Sequence, residues 1–524
     1  MTTMSTNPNN NPNPNPNPNP KDQTNLRSPK SRRWRQSQVA TAVIAIAALL
    51  ISTAAWLSLV FSGSPTLPVA RLQNKAPAPA FTQYQNDSVS VFDDEDDPVE
   101  WGDEELSLDD VVFGIAGSSG LWKQRKEYVR LWWRPDVMRG HVWMEEKVPE
   151  EQNDESLPPI MVSEDISRFR YTNPTGHPSG LRISRIISEC FRLRLPKVRW
   201  FVLADDDTII NVVNLVAVLS KYDASEMVYV GSPSESHSAN TYFSHSMAFG
   251  GGGIAISYPL AKALSEIQDE CLERYPKLYG SDDRLHACIT ELGVPLTREP
   301  GFHQCDIRGN AHGLLSSHPI APFVSIHHVE AVDPIYPGLN SLESLKLFTQ
   351  AMRLQPSSFL QRSICYDRRH HLTFSVSLGY VVQVFPQIVL PRDLERSEQT
   401  YSAWNGISKR SEFDLDTKDA YRSVCKKPIL LFLKDIRSQG NATLGSYMRS
   451  RAKDDFKRTV LCFPRSRHLR HLREIQVLGH PLTKKWHLVP RRLCCKLNQN
   501  SDEVLRLTVG QCAKGASGSF TDYK

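Results

Sequence analysis

The sequence predicts an α/β protein whose largest domain is a mostly parallel sheet with helices on both faces. Between residues 106 and 340, short apolar stretches typical of buried strands alternate with segments of helical periodicity. Such alternation favours parallel strands joined by helices. Two flanking regions depart from this pattern. One is a long apolar run near the N-terminus, and the other is residues 341–524, whose strand-like segments predict a mostly β C-terminal extension.

The N-terminal region predicts a tail, one transmembrane helix and a stem. Residues 1–38 contain a tract of almost pure Asn and Pro, so we expect a disordered cytoplasmic tail. Residues 39–61 carry no charge and exceed the roughly 20 residues needed to cross a bilayer. Residues 62–105 would then form a stem on the far side of the membrane.

The flanking charges predict the orientation of this apolar run. Basic residues precede it, and an acidic stretch follows at residues 92–97. The positive-inside rule therefore places the N-terminus in the cytosol and predicts a type II signal anchor. The alternatives are a cleaved signal peptide, whose apolar region is usually only about 7–15 residues long, and a buried core helix, although no amphipathic stripe is visible.

The cysteines and sequons agree with a luminal location. All ten cysteines follow the apolar run, and an even number outside the cytosol suggests disulfides, whose pairing the sequence does not give. Cys494 and Cys495 are adjacent and lack the spacer of a zinc site. Sequons at Asn86 and Asn441 lie on the same side. The formal net charge of +5 is mild for 524 residues and does not by itself indicate a nucleic-acid partner.

The strands and helices of the α/β domain can be placed along the chain in order. Helical spacing of apolar side chains is clearest at residues 181–193. We expect strands at residues 111–117, 140–144, 158–163, 200–204 and 226–231, and helices from about residue 121, over 181–193 and over 212–222.

Three adjacent aspartates, Asp205, Asp206 and Asp207, end the most hydrophobic of these strands. Ligands bind at the carboxyl ends of strands in such sheets. Three carboxylates there can be offset by Mn²⁺ or Mg²⁺, which prefer oxygen ligands. The alternative is a solvated turn in which one aspartate caps a helix that begins near Thr208.

Two further motifs follow the aspartates. Residues 250–253 are four consecutive glycines, which would let a ligand approach the backbone closely. A flexible turn is one alternative, and a dinucleotide fingerprint is another, disfavoured because several strands precede the glycines. Downstream, Ser281 is expected to cap a helix with Asp282 and Asp283 in its first turn, where the helix dipole favours carboxylates. Capping alone would also explain these two aspartates.

In this order, the motifs resemble those of the fringe-like glycosyltransferases of glycosyltransferase family 31. The plant branch of that family, whose domain is described as of unknown function, is the most similar. The resemblance covers about residues 106–340 and rests on "LADDDTII", "FGGGGIAIS", "SDD" and the upstream "RKEYVRLWW". It implies a GT-A-like domain that binds one nucleotide sugar, and a location in the Golgi membrane.

The resemblance also implies roles for individual residues. Asp205, Asp206 and Asp207 would bind the metal, and Asp283 would be the catalytic base. The family has a metal-ligand histidine further along the chain, for which His303 and His327 are candidates, with His328 as an alternative. Cys305 stands where the family has a second histidine after His303. The residues implied to contact substrate are Arg125, Gly251, Gly252, Gly253 and Asp282.

These features together predict a metal-dependent, inverting transferase. The donor would be a UDP-sugar, and the acceptor would be a hydroxyl of a glycan or glycoprotein. One carboxylate base without an enzyme nucleophile implies direct displacement and a β-linked product, with β-1,3 as one linkage. One alternative is an inactive luminal glycan-binding or scaffold protein with the same fold. The basic residues 449–492 suggest a nucleic-acid binder, but no nucleic-acid partner is expected in the lumen.

Overall fold

The computed structural model of the protein describes residues 104–149, 154–450, 461–462, 469, 471–498 and 504–515. The expected tail, the apolar run at residues 39–61 and all but the end of the stem lie outside these ranges. Among the described helices, none combines the length and apolar character that a membrane span requires. The described residues all belong to one unit, Asp94–Lys524.

A seven-stranded sheet forms the centre of the N-terminal half. Its strands are β1 (Val111–Ala116), β2 (Arg139–Met144), β3 (Ile160–Val162), β4 (Trp200–Asp205), β6 (Tyr229–Gly231), β7 (Ile254–Ser257) and β8 (Leu296–Arg298), with the short β5 (Ile209–Ile210) outside this sheet. The order is β3-β2-β1-β4-β7-β6-β8. Strand β7 runs antiparallel to both of its neighbours, and the other neighbouring pairs are parallel. The sheet is thus mostly parallel, as predicted, with one reversed strand.

Helices cover both faces of this sheet, which confirms the predicted layering. Successive side chains of a strand point to opposite faces, so Phe113 and Ile115 belong to one apolar cluster and Val112 and Ala116 to another. The first face is covered by α1 (Trp122–Arg130) and α4 (Val212–Leu219). The second face is covered by four helices: α2 (Ser179–Ser184), α3 (Ile186–Arg192), α6 (Tyr258–Arg274) and α7 (Ser281–Glu291). Helix α5 (His237–Tyr242) precedes the glycines along the chain.

One local expectation, the single helix over residues 181–193, and one alternative, the helix near Thr208, are wrong. The predicted helix over residues 181–193 is divided into α2 and α3, which meet at Arg185. The helix after the aspartate triplet begins at Val212 rather than near Thr208, because β5 intervenes and the side chain of Asn211 caps the helix. The aspartates of the triplet therefore cap no helix that the structure describes. The glycines lead into strand β7, and helix α6 begins only after that strand.

The C-terminal region is mostly strand, as predicted. It contains an eight-stranded sheet in the order β12-β13-β14-β18-β19-β20-β22-β21, in which β20 and β22 pair in parallel and the other neighbours are antiparallel. The strands are β12 (Arg362–Asp367), β13 (Leu372–Ser377), β14 (Val381–Phe385), β18 (Ile429–Gln439), β19 (Ala442–Arg449), β20 (Glu474–Gly479), β21 (Cys494–Asn498) and β22 (Val504–Gly510).

Short elements connect the two large sheets. They are β9 (Phe302–His303), β10 (Ile307–Gly309), β11 (Ser325–Ile326), β15 (Ser397–Gln399), β16 (Tyr401–Ala403) and β17 (Thr417–Asp419), with α8 (His312–Leu315), α9 (Ser341–Leu354) and α10 (Pro391–Glu395). Strand β11 pairs with both β5 and β9. Strand β10 pairs with β16, so the C-terminal region is hydrogen-bonded directly to the region before residue 340.

One apolar cluster continues from the central sheet into the C-terminal sheet. Phe323 packs edge-to-face against Phe348 on α9 and Phe359 beyond it, with ring centroids 5.8 and 5.4 Å away. The predicted domain boundary at residue 340 coincides with Asn340, the N-cap of α9. Because the core crosses this position, the described residues after 340 share a core with the α/β domain.

Disulfides join eight of the ten cysteines, as the luminal interpretation suggests. Cys190 and Cys305 are buried and unpaired. The Cys271–Cys288 bond ties α6 to α7 and so supports the helix that begins with the Asp282–Asp283 pair. The other bonds are Cys365–Cys495, Cys425–Cys462 and Cys494–Cys512.

Glu189 on α3 is a buried acid whose charge couples stability to pH. Burial raises its pKa to about 7 from 4.5, although Arg185 lies 3.4 Å away and opposes the shift. A raised pKa means that the native state holds the proton more tightly than the unfolded chain. The stabilising contribution is therefore complete below about pH 4.5 and is lost as the pH rises through about 7.

We therefore expect Glu189→Gln, which stays neutral, to exceed the wild type in free energy of unfolding at pH 8. The expected difference is roughly 2–4 kcal/mol at pH 8, and below about 1 kcal/mol at pH 5. Chemical denaturation at both pH values measures it, with Glu270→Gln on the exposed side of α6 as control. A gain of equal size at both pH values would contradict the assignment.

Candidate metal centre and active site

Two aspartates of the triplet converge with one histidine at the carboxyl end of β4. Ligand atoms of Asp205, Asp207 and His327 all lie within 4.8 Å of one another. His327 Nε2 is 3.4 Å from Asp205 Oδ2 and 3.0 Å from Asp207 Oδ1. The convergence follows from the topology, because His327 comes directly after β11, and β11 pairs with the β5 strand that follows the triplet.

The donor set of these three residues fits a divalent cation. Asp207 Oδ1 is buried without a well-aligned hydrogen bond, although it lies close to His327. Asp205 keeps 31% of its side chain exposed, so a ligand can reach the group from solvent. Two carboxylates and an imidazole suit Mn²⁺ or Mg²⁺, with the nitrogen favouring Mn²⁺.

The protonation states of the group reflect its concentrated negative charge. Burial would keep His327 neutral, but Asp207 and Asp205 raise its pKa to about 9. Burial likewise opposes ionisation of Asp207, yet His327 and Arg125 hold its pKa below the usual range. A proton on His327 thus supplies the positive charge that these carboxylates require.

The middle aspartate, Asp206, points away from this group. Its carboxylate accepts hydrogen bonds from Arg125 Nη1 at 2.7 Å and from the backbone N–H of Ser118 at 3.2 Å. Burial raises the pKa of Asp206 to about 7, although Arg125 opposes the shift. Of the three aspartates predicted as metal ligands, Asp205 and Asp207 therefore lie beside His327, whereas Asp206 pairs with Arg125.

Arg125 on α1 is held beside the candidate ligands by three carboxylates. Its guanidinium lies 2.7 Å from Asp206, 3.1 Å from Asp207 and 3.1 Å from Glu330. Burial lowers its pKa, but these acids outweigh burial and raise it, so the side chain stays charged. A fixed guanidinium beside a metal group can contact a phosphate, which agrees with the substrate-binding role predicted for Arg125. Glu330 follows β11 in a loop and carried no sequence signal.

The glycine stretch leaves the space that neighbouring site residues fill. A Cβ on Gly251 would overlap the ring of His327, and one on Gly250 would lie 2.7 Å from Asp282 Oδ1. Gly253 has a φ of +102°, a conformation that side chains disfavour. The N–H of Gly252 donates to Gln304 Oε1 at 2.8 Å, a partner that sequence reasoning missed. The predicted glycine residues therefore line the site as tightly packed backbone.

The two aspartates at the start of α7 face different surroundings. Asp282 lies against Gly250, and burial together with the charge of Asp205 raises its pKa to about 7. Asp283 accepts hydrogen bonds from the N–H groups of Tyr279 at 2.7 Å and Gly280 at 2.9 Å. Burial raises the pKa of Asp283, and these two donors oppose the shift. Thus Asp282 packs against the glycine stretch, and Asp283 closes the helix end.

The expected cap of α7 is also different from the sequence prediction. Gly280 is the N-cap and Ser281 is the first helical residue. Ser281 Oγ instead lies 3.2 Å from Asp282 Oδ1. The prediction failed because a side chain three positions into the helix, that of Asp283, supplies the capping bond.

His303 lies outside the metal group. Its Nδ1 is 2.9 Å from Glu235 Oε1, and its ring packs against His318 and Phe323. Its carbonyl accepts the backbone N–H of His327 at 3.0 Å. Of the two predicted histidines, the structure brings His327 to the aspartates and leaves His303 as support for that strand.

His328 extends the site towards the C-terminal region. Its ring is stacked between His327 at 3.9 Å and Trp404 at 4.2 Å, and its Nδ1 is 3.1 Å from Asp306. Trp404 follows β16 and had no sequence signal, since it lies far along the chain from every motif. The residues after 340 therefore contribute to the surroundings of a candidate metal ligand.

The overlap between Gly251 and His327 predicts a specific defect. In Gly251→Ala the methyl group should displace the imidazole and weaken Mn²⁺ binding by roughly 10–100-fold, the usual effect of disturbing a ligand's support. Titration calorimetry measures the change. Gly120→Ala is the matched control, because a Cβ there meets nothing within 4 Å. Equal Mn²⁺ affinity in Gly251→Ala and the wild type would remove His327 from the ligand set.

Two family models together match residues 153–495, a range that includes the candidate metal ligands but not Arg125. Residues 153–310 match the family model described as Fringe-like, and residues 239–495 match the model described as a protein of unknown function, DUF604. A galactosyltransferase crystal structure with donor and acceptor sugar analogues overlaps 45% of this chain and 94% of its own, at 11% identity and a TM-score of 0.29. That likeness is too weak to define the fold.

Two curated relatives share part of the chain. A beta-1,3-glucosyltransferase of Mus musculus is 35% identical over 108 residues, and one of Homo sapiens is 32% identical over 139 residues. The matches cover 21% and 26% of this chain and the same shares of those relatives. The resemblance inferred from the motifs is thereby confirmed: the chain is similar to the fringe-like glycosyltransferases and also matches DUF604.

Proposed function

We propose that this protein is a metal-dependent, inverting glycosyltransferase that transfers a sugar from a UDP-sugar to a hydroxyl of a glycan or glycoprotein. The observation that carries the proposal is the convergence of Asp205, Asp207 and His327 within 4.8 Å, at the strand end where α/β sheets bind ligands. The Fringe-like match and the beta-1,3-glucosyltransferase relatives support this reaction class and favour a β-1,3 linkage.

The residues around the metal group suit a diphosphate donor. Asp205, Asp207 and His327 would hold Mn²⁺ or Mg²⁺, which when bound neutralises charge on the departing diphosphate. The guanidinium of Arg125 lies beside the same ligands and adds a permanent positive charge. Its three carboxylate partners fix its position, so it can contact a phosphate without reorganising.

The transfer step requires one carboxylate base. The acceptor oxygen forms a bond to the anomeric carbon as the bond from that carbon to the diphosphate oxygen breaks, and the acceptor proton passes to the carboxylate. Because no enzyme nucleophile takes part, an α-linked donor gives a β-linked product. We assign the base to Asp283 by resemblance. Each of its oxygens accepts one backbone N–H and keeps a further lone pair for the proton.

Two substitutions separate the transfer step from metal and donor binding. Asp283→Asn should lower transfer by about 10²–10⁴-fold, the usual contribution of a general base, with donor affinity unchanged. Asp207→Ala should instead weaken both Mn²⁺ and donor binding. Transfer rates and calorimetry on the same preparations measure both effects, and thermal unfolding checks that the cap of α7 survives.

Asp282→Asn is the matched control for the base assignment. If transfer is lost in Asp282→Asn and kept in Asp283→Asn, the base is Asp282, which packs against Gly250. If both variants keep full transfer, neither carboxylate is a base. A panel of UDP-sugars with Mn²⁺, scored for UDP release, tests the function itself. No release from any donor would favour the inactive glycan-binding or scaffold alternative.

The compartment is part of the proposal. We place the protein in the Golgi membrane as a type II protein, anchored by residues 39–61, with its catalytic domain in the lumen. Four disulfides support an oxidising compartment, where such bonds form and persist. A luminal location also excludes the nucleic-acid interpretation of the basic residues 449–492.

The sequon at Asn441 tests this topology. Asn441 is exposed in the turn between β18 and β19, where a glycosylating enzyme can reach it. In cells, Asn441→Gln should remove one step of the glycosidase-sensitive shift in gel mobility. Asn86→Gln, at the second sequon, serves as comparison. A wild-type protein without any glycosidase-sensitive shift counts against the luminal assignment.

A further inference from the structure

We infer that Tyr242, Phe243 and Tyr279 form a stacking surface for a pyranose ring of the acceptor, hereafter the aromatic platform. The inference rests on the proposed function, because it names the chemistry that the acceptor would present to the site. It concerns residues that carried no sequence motif.

The three rings form one contiguous and exposed group. Ring centroids are 4.7 Å apart for Tyr242 and Phe243, 5.7 Å for Phe243 and Tyr279, and 6.4 Å for Tyr242 and Tyr279. Tyr242 is 65% exposed and Tyr279 is 38% exposed. Aromatic side chains usually contribute to cores, so a grouped and exposed set indicates a binding surface.

Two neighbouring residues, Phe249 and Tyr171, contact the inner edge of the platform. Phe243 packs edge-to-face against the buried Phe249, with centroids 5.8 Å apart. The carbonyl of Tyr279 accepts the hydroxyl of Tyr171 at 2.8 Å. These contacts order the rings before any ligand arrives, which lowers the entropic cost of binding.

The platform adjoins the carboxylates proposed to act on the acceptor. The N–H of Tyr279 donates to Asp283 Oδ2 at 2.7 Å. Phe249 precedes Gly250, and Gly250 packs against Asp282. The platform is thus connected to Asp283 through Tyr279, and to Asp282 through Phe249 and the adjacent Gly250. A ring stacked on the platform would place its hydroxyl groups beside these carboxylates.

The surroundings of the platform favour a carbohydrate over a purely apolar ligand. A pyranose presents a face of C–H groups and an edge of hydroxyls. The aromatic rings can contact the C–H face. The polar side chains of α5 and of the residues just after it can form hydrogen bonds with the hydroxyls. His237 and His245 are exposed, their rings are 5.7 Å apart, and both approach Asp414, at 2.6 and 3.3 Å. Asn240 Nδ2 donates to Asp414 at 2.8 Å and orients it.

Direct binding tests the platform without relying on catalysis. The probes are methyl glycosides of glucose, galactose, N-acetylglucosamine and xylose, observed by saturation-transfer NMR with the full-length protein in detergent and EDTA. EDTA excludes a metal-bridged contact. We expect the wild type to bind at least one glycoside and Tyr242→Ala to weaken that binding by roughly 3–10-fold, the usual contribution of one aromatic contact.

Two variants control for nonspecific effects. Tyr242→Phe keeps the ring and should stay within about twofold of the wild type, since stacking needs only the aromatic face. Val489→Ala changes a residue that is 81% exposed and lies in the C-terminal region, and it should bind like the wild type. Thermal unfolding of each variant confirms that the fold is unchanged.

The outcomes distinguish the platform from the proposed function. The platform is wrong if the wild type binds none of the glycosides, or if Tyr242→Ala binds as tightly as the wild type. Glycoside binding without UDP release from any donor would reject the transferase and keep the platform as a glycan-binding site. With an active transferase, Tyr242→Ala should raise the acceptor KM by the same factor and leave donor hydrolysis unchanged.

Discussion

The balance of charge at the end of β4 determines how the surrounding elements are arranged. Three adjacent carboxylates, largely removed from water, repel one another unless positive groups lie beside them. Two distant segments supply those groups: Arg125 comes from α1 and His327 from the residue after β11. Helix α1 and strand β11 must therefore both reach the same strand end. The residues proposed to bind the donor and its metal thus include those whose positive charge offsets the repulsion between these carboxylates.

This requirement extends to the C-terminal region through His327. The imidazole has room only because Gly251 has no side chain, and its outer face is covered by His328 and then by Trp404. His328 itself has a φ of +53°, a left-handed conformation that costs free energy and persists where the surroundings enforce it. The pairing of β10 with β16 holds Trp404 at this place. The two-stranded β10-β16 sheet accordingly links the C-terminal region to the candidate metal ligand.

Local chemistry could be predicted from the sequence, and long-range contacts could not. The aspartate triplet and the glycines are recognisable within a few residues, and each strand or helix of the alternating pattern within a short segment. The division of the triplet, with Asp206 turned to Arg125, depends on a helix far upstream in the chain. Glu330 and Trp404 are single residues in loops, so no spacing pattern marks them. The antiparallel direction of β7 could not be predicted from the sequence either, because a buried strand has the same composition in either direction.

The Cys271–Cys288 bond divides the site into two mechanically different parts. It closes a loop with a sequence separation of 17 that contains Tyr279, Asp282 and Asp283. The metal ligands lie outside this loop, on strands and their immediate ends. Local opening of the chain is limited where a covalent link shortens the free segment. Reduction of this one bond would selectively loosen the segment proposed to recognise the acceptor, and the candidate metal ligands would stay in place.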